Sequence, residues 1–347
     1  MANRRHLRFI DHDGAPHTRL DSSWDGFQVT AGCGVGIEYK LNGPPSDRFR
    51  SRSFRPESVP TATGNTTFSG TLDTLPCMRF FERLADRIER TDSVVSVGLD
   101  PDPSRLPEFL ADADLPRWAF NRRIIDATHE HAACYKPNAA FYEDPDGWRA
   151  LEETIVYAHG KGVPVLLDAK RGDIGNTARR YATALDDDGL GADAITVNPY
   201  MGRDTLEPYL SRSEKGVFVL CRTSNSGGAD FQNLDVGNDK PLYQYVAERC
   251  EAWDDNGNVG LVVGATAPEE LETLRDRVDL PFLVPGVGAQ GGDAEAAVEH
   301  GLADGVGLVN SSRGIIFAGE GADNEKAYFR AAGDAAKRLK RRLNEHR

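Results

Sequence analysis

The sequence lacks the features that mark membrane and secreted proteins. No apolar run among its 347 residues approaches the roughly 18 residues that a membrane-spanning helix requires. No apolar stretch follows the Arg4-Arg5 pair, so we predict no signal peptide. The five cysteines show no C-x-x-C spacing, which argues against a disulfide framework or a zinc site: Cys33, Cys77, Cys134, Cys221 and Cys250. A reducing cytoplasm is therefore the expected location.

Basic charge is also scarce, and lysine especially so. The chain has 41 basic and 54 acidic residues, a net charge of −13, and only nine of the basic residues are lysine. Residues 1–77 contain nine basic and eight acidic residues, which leaves 32 and 46, or −14, for residues 78–347. Nucleic-acid binding requires a basic face, so this balance argues against it. An acid-rich, lysine-poor composition is typical of proteins from a high-salt cytoplasm, with an ordinary acidic cytosolic protein as the alternative.

Residues 1–77 differ from the rest of the chain. They mix Gly, Ser, Thr, Pro and Arg, and segments such as 51–67 have neither a helical nor a strand period. A weak apolar patch at 27–39 is compatible with a hairpin. We predict a disordered or loosely attached N-terminal extension, with Met78 as a candidate natural start and a regulatory domain as the alternative.

From Met78 onward, short apolar segments alternate with amphipathic ones. Eight such strand–helix units in about 270 residues predict an α/β fold, a (β/α)₈ TIM barrel, rather than a doubly wound open sheet. No G-x-G-x-x-G follows the first strand, as a dinucleotide-binding sheet would require. The predicted strands are 93–99, 132–136, 163–167, 193–197, 216–221, 259–264, 281–285 and 304–309. The predicted helices are 78–90, 115–131, 146–160, 173–185, 203–211, 241–253, 268–278, 293–300 and 324–343.

Charged residues crowd the end of the third predicted barrel strand. Asp168 and Lys170 are two apart, so on a regular strand both side chains leave the same face. Asp173 follows the Arg171-Gly172 turn, at the expected N-cap or first turn of a helix. A structural ion pair with a helix cap would explain these residues equally well. Their position favours a site, because active sites of parallel barrels lie at the carboxyl ends of the strands.

Other polar residues lie at the predicted strand ends and so face the same rim. The loops after strands seven and eight form the usual phosphate site of such barrels. There Gly291-Gly292 precedes a helix whose free N–H groups favour an anion, and Arg313 offers a bidentate fork. At the other side, lysines alternate with carboxylates. A lysine flanked by carboxylates keeps its charged form, which suits a proton donor better than a Schiff-base nucleophile.

Six motifs at the strand ends resemble the orotidine 5′-phosphate decarboxylase family, in its longer bacterial and archaeal branch. They are VGLDPDP at 97–103, YKPNAAFYE at 135–143, DAKRGDIGNTA at 168–178, TSNSG at 223–227, PGVGAQGGD at 285–293 and NSSRGI at 310–315. The resemblance covers Met78 to the C-terminus and leaves residues 1–77 outside.

The resemblance implies decarboxylation of orotidine 5′-phosphate to UMP, the last step of pyrimidine nucleotide synthesis, without a metal or organic cofactor. Lys136, Asp168, Lys170 and Asp173 match the family's charged network. Lys170 would protonate C6 of the pyrimidine, and Asp168 would lie beside the departing carboxylate.

The same resemblance implies a homodimer with shared sites. Asp173, Ile174 and Thr177 would reach the neighbouring subunit's site. Asp100 and Lys136 would hold ribose hydroxyls, Gln290 and Arg313 the phosphate, and Ser224 or its neighbour Thr223 the base. Pro285 and Ser312 complete the implied substrate-binding set.

The sequence leaves three alternatives open. One is a magnesium-dependent sugar-phosphate decarboxylase or aldolase on the same barrel, although such enzymes use an additional acidic ligand where this chain has Lys136. A lysine Schiff-base aldolase is the second. A catalytically silent phospho-ligand-binding barrel is the third, and the complete Asp-Lys-Asp set argues against it.

Overall fold

The computed structural model describes residues 78–264, 268–287 and 294–347, together with the backbone of two short strands near the N-terminus. Contacts divide the chain into two units, Met1–Cys77 and Met78–Arg347. In the first unit, β1 (His6–Ile10) and β2 (Pro16–Leu20) pair antiparallel. The sequence did not predict this hairpin. The apolar patch at 27–39, which is compatible with a hairpin, lies outside the described residues, and the predicted disorder of the extension stays a prediction.

The second unit is a barrel of eight parallel strands, which confirms the predicted (β/α)₈ fold. Seven neighbouring pairs form one sheet in the order β4-β3-β10-β9-β8-β7-β6-β5. Parallel bridges from Tyr135 to Val165 and from Asn138 to Asp168 then join the two edge strands. The barrel strands are β3 (Val95–Leu99), β4 (Cys134–Pro137), β5 (Leu166–Arg171), β6 (Ala194–Val197), β7 (Gly216–Arg222), β8 (Val259–Val263), β9 (Phe282–Pro285) and β10 (Leu308–Ser311).

Helices follow the strands and cover the barrel. They are α1 (Phe80–Thr91), α2 (Pro116–Thr128), α3 (Pro145–Gly160), α4 (Gly175–Ala182), α5 (Arg203–Leu210), α6 (Ala229–Gln232), α7 (Leu242–Ala252), α8 (Pro268–Arg275), α9 (Ala294–Glu299), α10 (Arg313–Ile316) and α11 (Glu325–Asn344). Nine of these correspond to predicted helices. The short helices α6 and α10 were not predicted, because four residues are too few to show a helical period.

The core lies between the helices and the strands and inside the barrel. Every residue of β3, β4, β6, β8 and β10 is buried, as expected for parallel strands covered on both faces. This explains why the strands appear in the sequence as continuous apolar runs.

Helix α1 packs at the amino-terminal end of the barrel. The Phe80 and Phe81 rings meet Phe218 edge-on, with centroids 6.1 and 5.6 Å apart. A Cβ atom at Gly216, the first residue of β7, would lie only 2.4 Å from the Phe80 ring, so this close approach requires glycine. The helix that begins just after Met78 is therefore part of the barrel core.

Candidate active site

A buried carboxylate, Asp168, is the centre of a hydrogen-bonded network at the carboxyl end of β5. Lys136 Nζ donates to its Oδ2 at 2.9 Å, and Lys170 Nζ donates to its Oδ1 at 2.6 Å. Thr196 Oγ1 also donates to Oδ1 at 2.9 Å. The structure thus brings together three of the four residues predicted to form the charged network.

Burial separates the two lysines. The Lys136 side chain is only 6% exposed and the Asp168 side chain 10%, whereas that of Lys170 is 47% exposed. Lys136 is therefore buried within the network, and the Lys170 side chain is the more accessible of the two.

Electrostatics hold the buried pair in its ionised form. Burial alone would raise the pKa of the Asp168 carboxyl, but the charges and hydrogen bonds of Lys136 and Lys170 outweigh it and hold that pKa well below its usual range. Burial would likewise lower the pKa of Lys136, but attraction by Asp168 and Asp100 and the hydrogen bond to Asp168 raise it. A fixed negative charge between two lysines is the result at neutral pH.

The backbone that presents Asp168 and Lys170 is not a regular strand. Leu167 pairs with Ile195 and Arg171 pairs with Val197, so β5 advances four residues while β6 advances two. Lys170 has φ +49°, in the left-handed region, which costs a non-glycine residue about 1–3 kcal/mol. The two side chains do meet as predicted, but the geometric reason given for it, a shared face of a regular strand, is wrong. A bulge at the strand end directs them together.

Two members of the network were not predicted from the sequence. Thr196 is 1% exposed and looked like an ordinary β-branched strand residue. Asn138 donates from Nδ2 to Asp168 Oδ2 at 3.4 Å. Its only sequence signal was its position in the strand-end run Lys136-Pro137-Asn138.

The next strand ends carry buried polar atoms that lack partners. Asp100 Oδ1, after β3, and Ser312 Oγ, after β10, have no hydrogen-bond partner among the described residues. Gly98 allows Ser312 to approach, since a Cβ there would lie 2.5 Å from Ser312 Cβ. Buried polar groups are normally satisfied, so two such atoms on neighbouring strands are suited to a polar ligand.

The predicted phosphate end is partly described. Arg313 is exposed at the first residue of α10, and its guanidinium has no ion-pair or hydrogen-bond partner within the described part of the chain. Pro285 ends β9 and lies beside Asn310 of β10. Gln290 and the Gly291-Gly292 turn lie outside the described residues, so their predicted phosphate contact stays a prediction.

The structure separates the two candidates for a base contact. The Thr223 hydroxyl donates to Asn225 Oδ1 at 2.7 Å and accepts from Gln232 Nε2 at 2.9 Å. The Ser224 hydroxyl has no hydrogen-bond partner among the described residues. Ser224 packs so closely on Gly264 that a Cβ at Gly264 would lie 2.9 Å from it. Of these two hydroxyls, that of Ser224 is therefore the one without a partner in the described part of the chain.

Asp173, the fourth predicted network residue, does not join the network of its own chain. It precedes Ile174, the N-cap of α4, instead of capping the helix itself, and its Oδ1 accepts the Ile174 N–H at 2.8 Å. Among the described residues it forms no ion pair with Lys136 or Lys170. Ile174 is 58% exposed, and Thr177 is exposed as well.

Two features are absent from the described residues. No helix there is long and apolar enough to cross a membrane. In the same part of the chain, no group of three or more His, Cys, Asp or Glu side chains is arranged to hold a metal ion.

An eight-stranded parallel barrel with a Lys-Asp-Lys network at its carboxyl rim defines a class, the (β/α)₈-barrel enzymes. Residues 93–328 match the orotidine 5′-phosphate decarboxylase / HUMPS family. The chain belongs to this family.

Individual relatives agree with this assignment. The orotidine 5′-phosphate decarboxylase of Natronomonas pharaonis is 86% identical over 270 residues, which is 78% of this chain and 100% of that protein. That of Halorubrum lacusprofundi is 75% identical over 280 residues, with the same coverage. Both come from halophilic archaea, which agrees with the acidic, lysine-poor composition. Among solved structures, the Leishmania donovani OMP decarboxylase matches with a TM-score of 0.66 and 46% identity, covering 78% of this chain and 98% of that one.

Proposed function

We propose that this chain decarboxylates orotidine 5′-phosphate to UMP and carbon dioxide, with Lys170 as the proton donor to C6. The observation that carries the proposal is the network around Asp168. One lysine of the network is buried and fixed, and the other is half exposed at the rim of the barrel. Such a site can hold one ammonium group beside a reacting carbon while a second ammonium maintains the charge of the carboxylate between them.

The arrangement suits the chemistry of the reaction. Loss of carbon dioxide leaves an electron pair on C6, and a fixed ammonium nearby stabilises that charge before it donates a proton. The electron pair of the broken C–C bond accepts a proton from Lys170 Nζ, and solvent later returns one to the amine. Asp168 lies within 2.6 Å of the Lys170 ammonium and orients it.

The remaining contacts follow the strand ends around the rim. Asp100 and Lys136 hold the ribose hydroxyls, which is supported by the unpartnered Asp100 Oδ1. Ser224, rather than Thr223, contacts the base because, of the two hydroxyls, only that of Ser224 lacks a partner among the described residues. Arg313 and Gln290 hold the phosphate, with Pro285 and Ser312 beside them.

We further propose that the enzyme is a homodimer with shared active sites, to which Asp173, Ile174 and Thr177 contribute from the partner. The isolation of Asp173 from the network of its own chain supports this. Exposed apolar side chains after β5 and β6 support it as well, namely Ile174 at 58%, Tyr200 at 85% and Met201 at 45% exposure.

A direct assay tests the activity. The protein should reduce the absorbance of orotidine 5′-phosphate with EDTA present and release one carbon dioxide per UMP. Dependence on added magnesium would favour the sugar-phosphate branch of the barrel enzymes. Inactivation by borohydride in the presence of substrate would favour a Schiff base, and binding without turnover would favour a silent phospho-ligand-binding barrel.

Removing Arg313 should affect the phosphate end selectively. Arg313→Ala should weaken UMP binding by roughly 10- to 100-fold, because a charge-assisted hydrogen bond contributes about 1.5–3 kcal/mol. Uridine binding should change little, since uridine has no phosphate to lose. Titration calorimetry with both ligands measures the difference. Arg338→Ala, an exposed arginine on α11, is the matched control. Equal weakening of UMP and uridine would place Arg313 outside the phosphate site.

We propose that residues 78–347 are the complete catalytic unit, acting in the cytoplasm, and that residues 1–77 are an extension. Two observations support this. A match to 78% of this chain covers the whole length of the Natronomonas pharaonis relative, and α1 packs into the barrel. A protein that starts at Met78 should therefore keep kcat and KM within about twofold of the full chain and unfold at the same temperature. A large loss of either activity or stability would assign residues 1–77 to the functional enzyme.

A further inference from the structure

Thr196 lies opposite the irregular end of β5. The ladder between β5 and β6 is regular up to the pair Leu167–Ile195 and resumes at Arg171–Val197. Three residues of β5, 168–170, therefore face a single residue of β6, Thr196. In a regular ladder the backbone groups of Thr196 would pair with β5, but here β5 bulges away from β6.

The Thr196 side chain makes the hydrogen bonds that the interrupted ladder leaves open. Its Oγ1 accepts the backbone N–H of Lys170 at 2.9 Å and donates to Asp168 Oδ1 at 2.9 Å. The hydroxyl thus joins the backbone of one network residue to the carboxylate of another. It is 1% exposed, so both hydrogen bonds are shielded from bulk solvent.

The backbone that this hydroxyl holds is strained. Lys170 has φ +49°, a conformation that long side chains seldom adopt and that persists only where the surroundings fix it. The conformation also directs the Lys170 ammonium to Asp168 Oδ1, the same oxygen that Thr196 contacts. One buried hydroxyl, that of Thr196, therefore contacts both the backbone of Lys170 and the carboxylate with which the Lys170 ammonium pairs.

We propose that Thr196 is a positioning residue for the decarboxylation: its hydroxyl clamps the bulge of β5 so that Asp168 and Lys170 keep their reactive geometry. This inference rests on the proposed function for its kinetic consequence. Thr196 acts through these two residues and is not itself assigned a contact with substrate. Because the hydroxyl fixes orientation and not ligand affinity, its loss should reduce kcat much more than it changes KM.

The test compares Thr196→Val, which keeps the shape and removes the hydroxyl, with Thr196→Ser, which keeps the hydroxyl. The valine protein should lose about 10- to 100-fold in kcat while KM changes less than about threefold, because small misplacements of reacting groups have effects of this size. The serine protein should stay within about threefold of wild type. Thr196→Ala carries the same expectation as valine if the valine protein does not fold.

Thr128→Val is the matched control. Thr128 is fully buried on α2, and its hydroxyl also makes two hydrogen bonds, to Ile124 O and Tyr135 Oη. Its replacement should lower the unfolding temperature without changing kcat. Two results would overturn the inference. One is that Thr196→Val and Thr196→Ala both keep kcat within twofold of an active wild type. The other is that Thr196→Ser loses as much kcat as Thr196→Val.

A crystal structure of Thr196→Val separates this inference from the proposed function. We expect Lys170 to leave the left-handed region and its ammonium to move away from Asp168, whatever the reaction. An unchanged bulge would overturn the clamp even if the wild type is an active decarboxylase. Conversely, the wild type could prove inactive while the bulge of β5 is lost in Thr196→Val. That result would contradict the proposed function but would support the structural role of Thr196.

Discussion

Lys170→Ala should abolish turnover of orotidine 5′-phosphate, with a loss of more than about 10⁴-fold in kcat. Two effects disappear together, since proton donation typically contributes about 10²–10⁴-fold and electrostatic stabilisation of developing charge about 10²–10³-fold. The protein should remain folded, because the Lys170 side chain is 47% exposed and the buried Lys136–Asp168 pair remains. Stopped assays with purified protein, alongside UMP binding and thermal unfolding, measure all three quantities.

Lys161→Ala is a suitable control for the lost ion pair. Lys161 Nζ lies 2.7 Å from Asp126 Oδ1 on the outer helices and pairs with a carboxylate as Lys170 does. Its replacement should leave kcat unchanged. If a folded Lys170→Ala protein keeps turnover within about tenfold of wild type, Lys170 is not the proton donor and the mechanism must use another acid.

Much of this site could be predicted because its residues occur in short, local motifs. Asp168 and Lys170 are two residues apart and are charged at the end of an apolar run, a pattern that indicates a strand end in a parallel fold. Predicted and observed barrel strands overlap in every case, because burial on both faces requires continuous apolar segments.

The parts that could not be predicted depend on contacts between distant segments. The bulge at Lys170 is defined by how β5 pairs with β6, and the sequence of neither strand alone determines that register. Thr196 was not identified either. A threonine in a strand is already explained by its β-branched shape, so its sequence position gives no further signal. Its role depends on which backbone N–H it faces.

A mixture of the Asp173→Ala and Lys170→Ala proteins, each inactive alone, should recover activity if Asp173 acts across a subunit boundary. In its own chain, the Asp173 carboxylate accepts only the N–H of Ile174 among the described groups, and it lies outside the Lys136–Asp168–Lys170 network. A carboxylate at this position can still complete the network of a neighbouring barrel. Asp173→Ala alone should therefore lose at least about 10²-fold in kcat, the size expected for one preorganised electrostatic group.

Subunit exchange tests the shared site directly. In a dimer of one Asp173→Ala chain and one Lys170→Ala chain, one site receives both damaged residues and the other receives neither. Random exchange makes half of the dimers mixed, so recovery should approach roughly a quarter of wild-type activity by two-fold symmetry. Mass spectrometry of the intact dimers verifies that exchange has occurred. Verified exchange without recovery would mean that Asp173 acts within its own chain, because a site made by one chain cannot be repaired by another.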